Sequence, residues 1–477
     1  MKKSLLLLTA LLVIFSLVLV ACGGGAEAPA EEMVEEPAAP AEKVKIRWFV
    51  GLGTGDAPEQ VEIEQKVVDE FNATHDNIEL ILEVVPYDSA RDTLSTQIAA
   101  GNGPDLIGPV GIGGSNDFYG QYMDLSPLME AANYDTSIFN EALVEFYQEE
   151  DGQVGLPWMV FPSALYYQKE MFDEAGLNYP PANLGDPYVW ADGSEAEWSW
   201  ETLTEVAKFL TVDVNGLTPY DEGFDRESIV QVGYEPQWAS AQTIGTFYEP
   251  GLLYEGEEGA YTAVIPAAWQ EAWEWRFDGM WGDEPFMATG ALSGSPEFGG
   301  GNVFNSGKAA MGVTQLWYTC CLGDAGESWD VAAFPSYNGV VHGRMDADTL
   351  RMWKGSEHPT EAFEVLTYLI GPEGTVPLVM GEDGANPAYG AFPAITELQG
   401  GFIDAKAAQY PFVENWDVFL QGLDYPDSPS SEAWMPNILE ANNRVATFAD
   451  LMGNDGTIDF DAELEQLRSD LDVIFNK

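Results

Sequence analysis

The sequence predicts an α/β protein large enough for two domains, with a mostly parallel sheet covered by helices. Three observations predict it. Apolar strand patterns alternate with helical ones from Val44 to Val110, the alternation restarts after Val154, and the chain has 477 residues. In order, Val44, Ile46, Trp48 and Val50 share one face, with the two-residue period of a strand. A Gly-rich turn over 51–55 follows. Asp56 then stands three residues before Glu59 as a capping box, with Pro58 tolerated in the first helical turn. Ile63, Val67, Val68 and Phe71 form a helical stripe. Residues 78–85 read as a second strand, 89–100 as a helix closed by Gly101, and 106–110 as a third strand.

Beyond this block, 154–160 is extended and apolar, and 201–210 is a helix with Ser199 as N-cap and Leu203, Val206, Ala207 and Leu210 facing inward. Residues 267–281 form a Trp-rich helix, 309–314 and 331–334 form strands, and 360–370 forms a helix stopped by Gly371 and Pro372. The carboxyl end, 432–477, reads as helical.

The amino terminus carries the most specific signal. Lys2 and Lys3 precede an apolar run, Leu5 to Val20, of signal-peptide length and short for a membrane span. It ends in Leu19-Val20-Ala21-Cys22, which resembles a bacterial lipobox whose cysteine is lipidated. An ordinary signal peptide with an incidental cysteine is the competing reading. On the first, residues 1–21 are removed, and 22–43, rich in Gly, Ala, Pro and Glu, form a disordered acidic tether.

The formal net charge is −60, with 79 acidic against 19 basic residues. That excludes nucleic acid, whose phosphates need Lys and Arg, and adsorption on anionic lipid. Three scattered histidines and sparse cysteines hold no metal-site spacing, and no cofactor is expected.

Ordered blocks resemble the extracellular solute-binding proteins of the sugar-binding type, which include maltose-binding proteins. Ala99-Ala100-Gly101-Asn102-Gly103-Pro104-Asp105-Leu106 is similar to one block. Gly155-Leu156-Pro157, Leu165 to Phe172 and Ala175-Gly176-Leu177 resemble a second, with Gln168 where Asn is usual. Trp200-Glu201-Thr202-Leu203 resembles a helix start, and Phe304 to Met311 followed by Trp317 a fourth block. The resemblance implies two α/β lobes joined by two or three crossovers, with the ligand in the cleft between them. Lobe one would be 44–156 plus 335–393, lobe two 157–334 plus 394–477, and the hinges would lie near 157–162, 332–335 and 394. It implies a non-enzymatic receptor for an ABC importer, with a carbohydrate, the permease subunits and the membrane as partners, working as a monomer.

A sugar offers apolar C–H faces and a rim of hydroxyls, so its site needs flat rings beside planar polar groups. By the resemblance, Trp317 is the stacking residue, Trp434 and Trp238 are further platforms, and the loop bearing Arg344 reaches the ligand. Core packing competes for each ring, and a local acid for Arg344. Thr54 and Asp56 end the first strand and Ser115 and Asn116 follow the third, where open α/β sheets bind ligands. For Asp56 the cap is the rival role. Cys320 and Cys321 are expected to form a vicinal disulfide, two buried thiols being the alternative. A glycosidase with paired carboxylates, an adhesin, and a receptor for a polyamine or peptide are the competing functions.

Overall fold

The computed structural model describes residues 43–149, 152–381, 388–425 and 427–477. The leader, Cys22 and most of the tether expected at 1–43 lie outside them. Ten strands form one sheet: β1 (Val44–Val50), β2 (Ile78–Val84), β3 (Leu106–Val110), β4 (Met159–Gln168), β5 (Val212–Asp213), β6 (Ile229–Glu235), β7 (Ala309–Gln315), β8 (Trp329–Ala332), β9 (Met345–Met352) and β10 (Phe392–Pro393). Their order is β2-β1-β3-β9-β4-β7-β6-β5, with β8 and β10 also on β4.

β1 runs parallel to β2 and β3, as the strand–helix alternation requires. It is buried on both faces. Ile46, Trp48 and Val50 join the main core, and Phe49 packs with Ile107, Ala90 and Leu94 in a second cluster. The helices responsible are α1 (Pro58–Thr74), through Val67, Val68 and Phe71, and α2 (Tyr87–Ala99), through Ala90 and Leu94. In the other half, α3 (Trp200–Leu210) buries Trp200, Leu203, Val206, Ala207 and Leu210. Ser199 caps it by accepting from the Thr202 amide at 3.4 Å. Leu203, Val206 and Leu210 on this stripe each contribute about 2 kcal/mol by their burial. The helix lies close on β6. A Cβ at Gly233 would sit 1.9 Å from the Ala207 carbonyl oxygen, so only glycine fits there.

Two strands belong to both halves. Met159 and Val160 of β4 pair with β9 and β10, while the stretch from Ser163 to Tyr167 pairs with β7 and β8. β9 pairs through Met345 to Asp348 with β4, and through Thr349 to Met352 with β3.

The structure corrects four local expectations. Residues from Val154 enter the sheet only at Met159, because Pro157 supplies no ladder donor. The strand expected at 331–334 runs from Trp329 to Ala332, ahead of Pro335. Asp56 does not cap α1. Ala57 is the N-cap, and the Gln60 side chain accepts from the Gly55 and Ala57 amides at 3.0 and 3.2 Å. Asp56 instead accepts from the Tyr87 amide at 3.0 Å, at the start of α2. The carboxyl end is not one helix from Glu432. Residues 432–437 are irregular, with Pro436 and a left-handed Asn437 (φ 51°), and two helices follow, α5 (Ile438–Asn454) and α6 (Phe460–Phe475). The Trp-rich helix, α4, spans Ala267–Trp281. No helix among the described residues is long and apolar enough to cross a membrane.

Candidate ligand-binding site

Alternation along β9 places Met345 and Ala347 in the core and Asp346 and Asp348 on the opposite face, beside Arg344 at the strand entrance. Arg344 is the hub. Its Nε lies 2.6 Å from Asp346 Oδ1, its Nη2 lies 3.0 Å from Glu432 Oε1, and its Nη1 donates to Thr243 Oγ1. Burial opposes the charge, but Asp346, Glu432 and Asp427 outweigh it and hold the guanidinium protonated. Asp346 Oδ2 accepts from Trp317 Nε1 at 2.8 Å. The Trp317 ring lies parallel to Trp238, with centroids 6.0 Å apart and planes 6° from parallel, and Tyr318 meets Trp238 edge-on at 5.4 Å. Trp238 is held out by a left-handed backbone (φ 57°) and is 51% exposed.

The irregular segment before α5 closes the other side. Glu432 Oε2 accepts from the Gly113 amide at 3.3 Å, and its backbone carbonyl accepts from Asn116 Nδ2. Asp427 accepts from the Met345 amide at 2.9 Å and the Ser431 amide at 3.1 Å. Trp434 stacks on Tyr119 (4.7 Å, 19°) and meets Tyr254 edge-on at 6.0 Å. These rings line a cavity of about 1120 Å³, with Asp427 and Lys477 also on its wall.

The Asp348 side chain makes no hydrogen bond with a described residue. The turns after β1 and β3 press on it, so that a Cβ at Gly111 would lie 2.9 Å from its Oδ1 and one at Gly53 3.6 Å from its Oδ2. Burial, and then the charges of Asp346 and Glu432, push its carboxyl up to about 7. Burial pushes Asp427 up to about 7 against its two amide donors and Arg344, and Glu432 up despite Arg344.

The structure thus gathers Trp238, Trp317 and Arg344 into one contact group, with Asn116 and Trp434 joined to it through the Glu432 segment. Ser115 is buried and donates to the Gly111 carbonyl at 2.7 Å while accepting from Arg351 Nε at 3.3 Å. Thr54 accepts from Gln60 Nε2 at 2.7 Å. Asp346, Asp348, Asp427, Glu432 and Tyr119 were not singled out from sequence. The spacing of Asp346 and Asp348 from Arg344 by two and four residues on a strand was the available signal. Cys320 and Cys321 are free thiols here, with Sγ atoms 2.7 Å apart on the same short turn, Leu316–Cys321, that carries Trp317. The expected bridge would have to close between adjacent α-carbons about 3.8 Å apart, below the usual span. Burial pushes the Cys320 thiol up to about 12, with Cys321 adding to it.

The model of the bacterial extracellular solute-binding protein family matches residues 56–376. The chain belongs to that family. Members similar to it include the arabinooligosaccharide-binding protein of Halalkalibacterium halodurans, 26% identical over 151 residues. That match covers 30% of this chain and spans about a third (34%) of the relative. Among solved structures, M. tuberculosis UspC is similar with a TM-score of 0.68 at 20% identity, covering 91% of this chain and 100% of that one. The Listeria monocytogenes ABC substrate-binding protein Lmo0181, in complex with cycloalternan, gives 0.62 at 18% identity, covering 90% and 98%. At these identities the structural likeness shows the fold, the two-lobed α/β architecture of extracytoplasmic solute-binding proteins with a central mixed sheet. The two-lobed α/β fold expected from the resemblance is therefore the one found, but its sheet is mixed and not mostly parallel: among the described residues only β1–β2, β1–β3 and β6–β7 pair in parallel, and the strands on β4 and β9 pair antiparallel.

Proposed function

We propose that this solute-binding protein captures a carbohydrate outside the cytoplasmic membrane and delivers it to the permease subunits of an ABC importer. One observation carries the reading: the parallel indoles of Trp238 and Trp317 stand directly beside the planar charged set of Arg344, Asp346 and Glu432. Indole faces take the C–H face of a sugar ring, and the guanidinium and carboxylates take its hydroxyls. The name of the H. halodurans relative and the cycloalternan in the Listeria structure support a saccharide. Trp434 over Tyr119 supplies a further platform in the larger cavity.

On this reading the protein binds without catalysis: Asp346, Glu432 and Asp427 are held by Arg344, by Trp317 Nε1 and by backbone amides, and Asp348 is packed beneath the turns after β1 and β3. Lobes 44–156 plus 335–393 and 157–334 plus 394–477 close over the sugar by bending where β4 and β9 pass between them and near Ala394. Cys22 carries the lipid, 22–43 is the tether, and the protein acts as a monomer.

A thermal-shift screen over mono- and oligosaccharides, uronates, polyamines and short peptides tests the reading. A saccharide at a hundred times its Kd is expected to add about 2.7 kcal/mol of stability, and the radius of gyration from solution scattering should fall with it. Stabilisation by a polyamine or peptide alone, or turnover of a glycoside, would overturn it.

A further inference from the structure

Of the eight arginines in the chain, six are in ion-pair contact with a carboxylate, and Arg226 donates to the carbonyls of Trp281 and Gly282. Arg276, on α4, makes neither kind of contact with any described residue. In a chain with four times as many acids as bases, a guanidinium without a direct partner is informative. It lines a second cavity of about 430 Å³ that shares Ala433 with the larger one. Burial lowers its basicity, and Glu235, Tyr234 and Asp450 make up only part of the loss.

The other polar groups on this wall are mixed in kind. Ser431, 7% exposed, has an Oγ with no hydrogen-bond partner among the described residues. Gln242 donates to Asn442 Oδ1 at 2.9 Å, which leaves an acceptor on the first and a donor on the second. Asp450 adds a carboxylate, and Glu432 is already bound to Arg344. A bare anion needs donors alone and would meet these acceptors unfavourably. Hydroxyls donate and accept at once, and a neutral polyhydroxylated ring satisfies such a wall. The larger cavity is somewhat above the usual range of small-molecule sites and the second is within it, so a ligand filling both is longer than one ring.

We infer that the Arg276 cavity is a second saccharide subsite, which takes one neutral sugar unit of an oligosaccharide whose remainder lies in the larger cavity. Arg276 and Ser431 donate to its hydroxyls, and Asp450 and the Gln242 carbonyl accept from them. The inference rests on the carbohydrate reading above and adds chain length and charge class to it.

The test is calorimetric titration with maltose, mannose and arabinose series, each from monosaccharide to trisaccharide, with galacturonate and sulfate as anionic probes. In the series that binds, the trisaccharide is expected to bind about tenfold or more tighter than the monosaccharide. Arg276→Met should remove that increment and leave the monosaccharide affinity unchanged. Ala446→Trp fills the cavity from an exposed helix position, so it should do the same even if Arg276→Met folds poorly. Equal affinity across the series, equal weakening of all lengths by both variants, or tighter binding of galacturonate or sulfate than of the neutral sugars would overturn the subsite while leaving the carbohydrate reading intact. Binding by no saccharide would overturn both.

Discussion

Replacing Trp317 with alanine is expected to weaken saccharide binding by about thirtyfold, or about 2 kcal/mol. The substitution removes a ring face and also acts on its surroundings. Trp238 loses the parallel ring 6.0 Å away, and Asp346 Oδ2 loses its 2.8 Å indole donor, leaving that carboxylate to Arg344 alone. Trp317→Phe separates the contributions, because it keeps a flat ring without the N–H, and it is expected to fall between wild type and alanine. Calorimetry on the best saccharide from the screen provides the measurement. An unchanged Kd in the alanine variant would remove Trp317 from the site.

Stability should rise as the pH falls from 8 to 5. The sign follows from the raised carboxyls. Asp348 and Asp427 titrate at about 7 in the folded chain, as do Glu64 and Glu235, all chiefly through burial. In the unfolded chain they titrate near 4. Between about pH 4 and 7 the folded state therefore binds more protons than the unfolded one, and unfolding becomes harder as pH falls through that window. Relief of self-repulsion in a chain of net charge −60 acts in the same direction, so the pH trend alone does not isolate the site. Asp348→Asn does. The amide keeps the shape and removes a charge that Asp346 and Glu432 oppose. It is expected to raise Tm at pH 8 by more than about 3 °C and to change it little at pH 5. The same shift at both pH values would mean that the Asp348 carboxyl titrates alike in the folded and unfolded chain and is not raised by its surroundings.

Elements with a clean period or a concentrated apolar run were legible in the sequence. β1 has the bounds that alternation implies, β3 those of its short apolar run and α4 those of its Trp-rich stretch, and α3 has the cap that Ser199 implies. Trp317 and Trp238 were named from a resemblance, and the structure finds them against each other. What escaped depends on residues far apart in the chain. Nothing local to Glu432 announces that it reaches Arg344 and the amide of Gly113. Asp56 has the spacing of a cap for α1, but the turn carries it to the start of α2. The helix expected from Glu432 failed because its apolar residues keep a helical count while Pro436 and the left-handed Asn437 break the backbone.

β4 lies wholly in the core and is hydrogen-bonded to both halves of the molecule at once. The halves therefore do not hang on a swivel of loose chain. Reorientation has to be absorbed as twist within hydrogen-bonded ribbon, a stiff element with a narrow angular range. Each half also lends the other part of its sheet, so disrupting either one strips backbone partners from its neighbour, and the two are bound to melt as a single cooperative body.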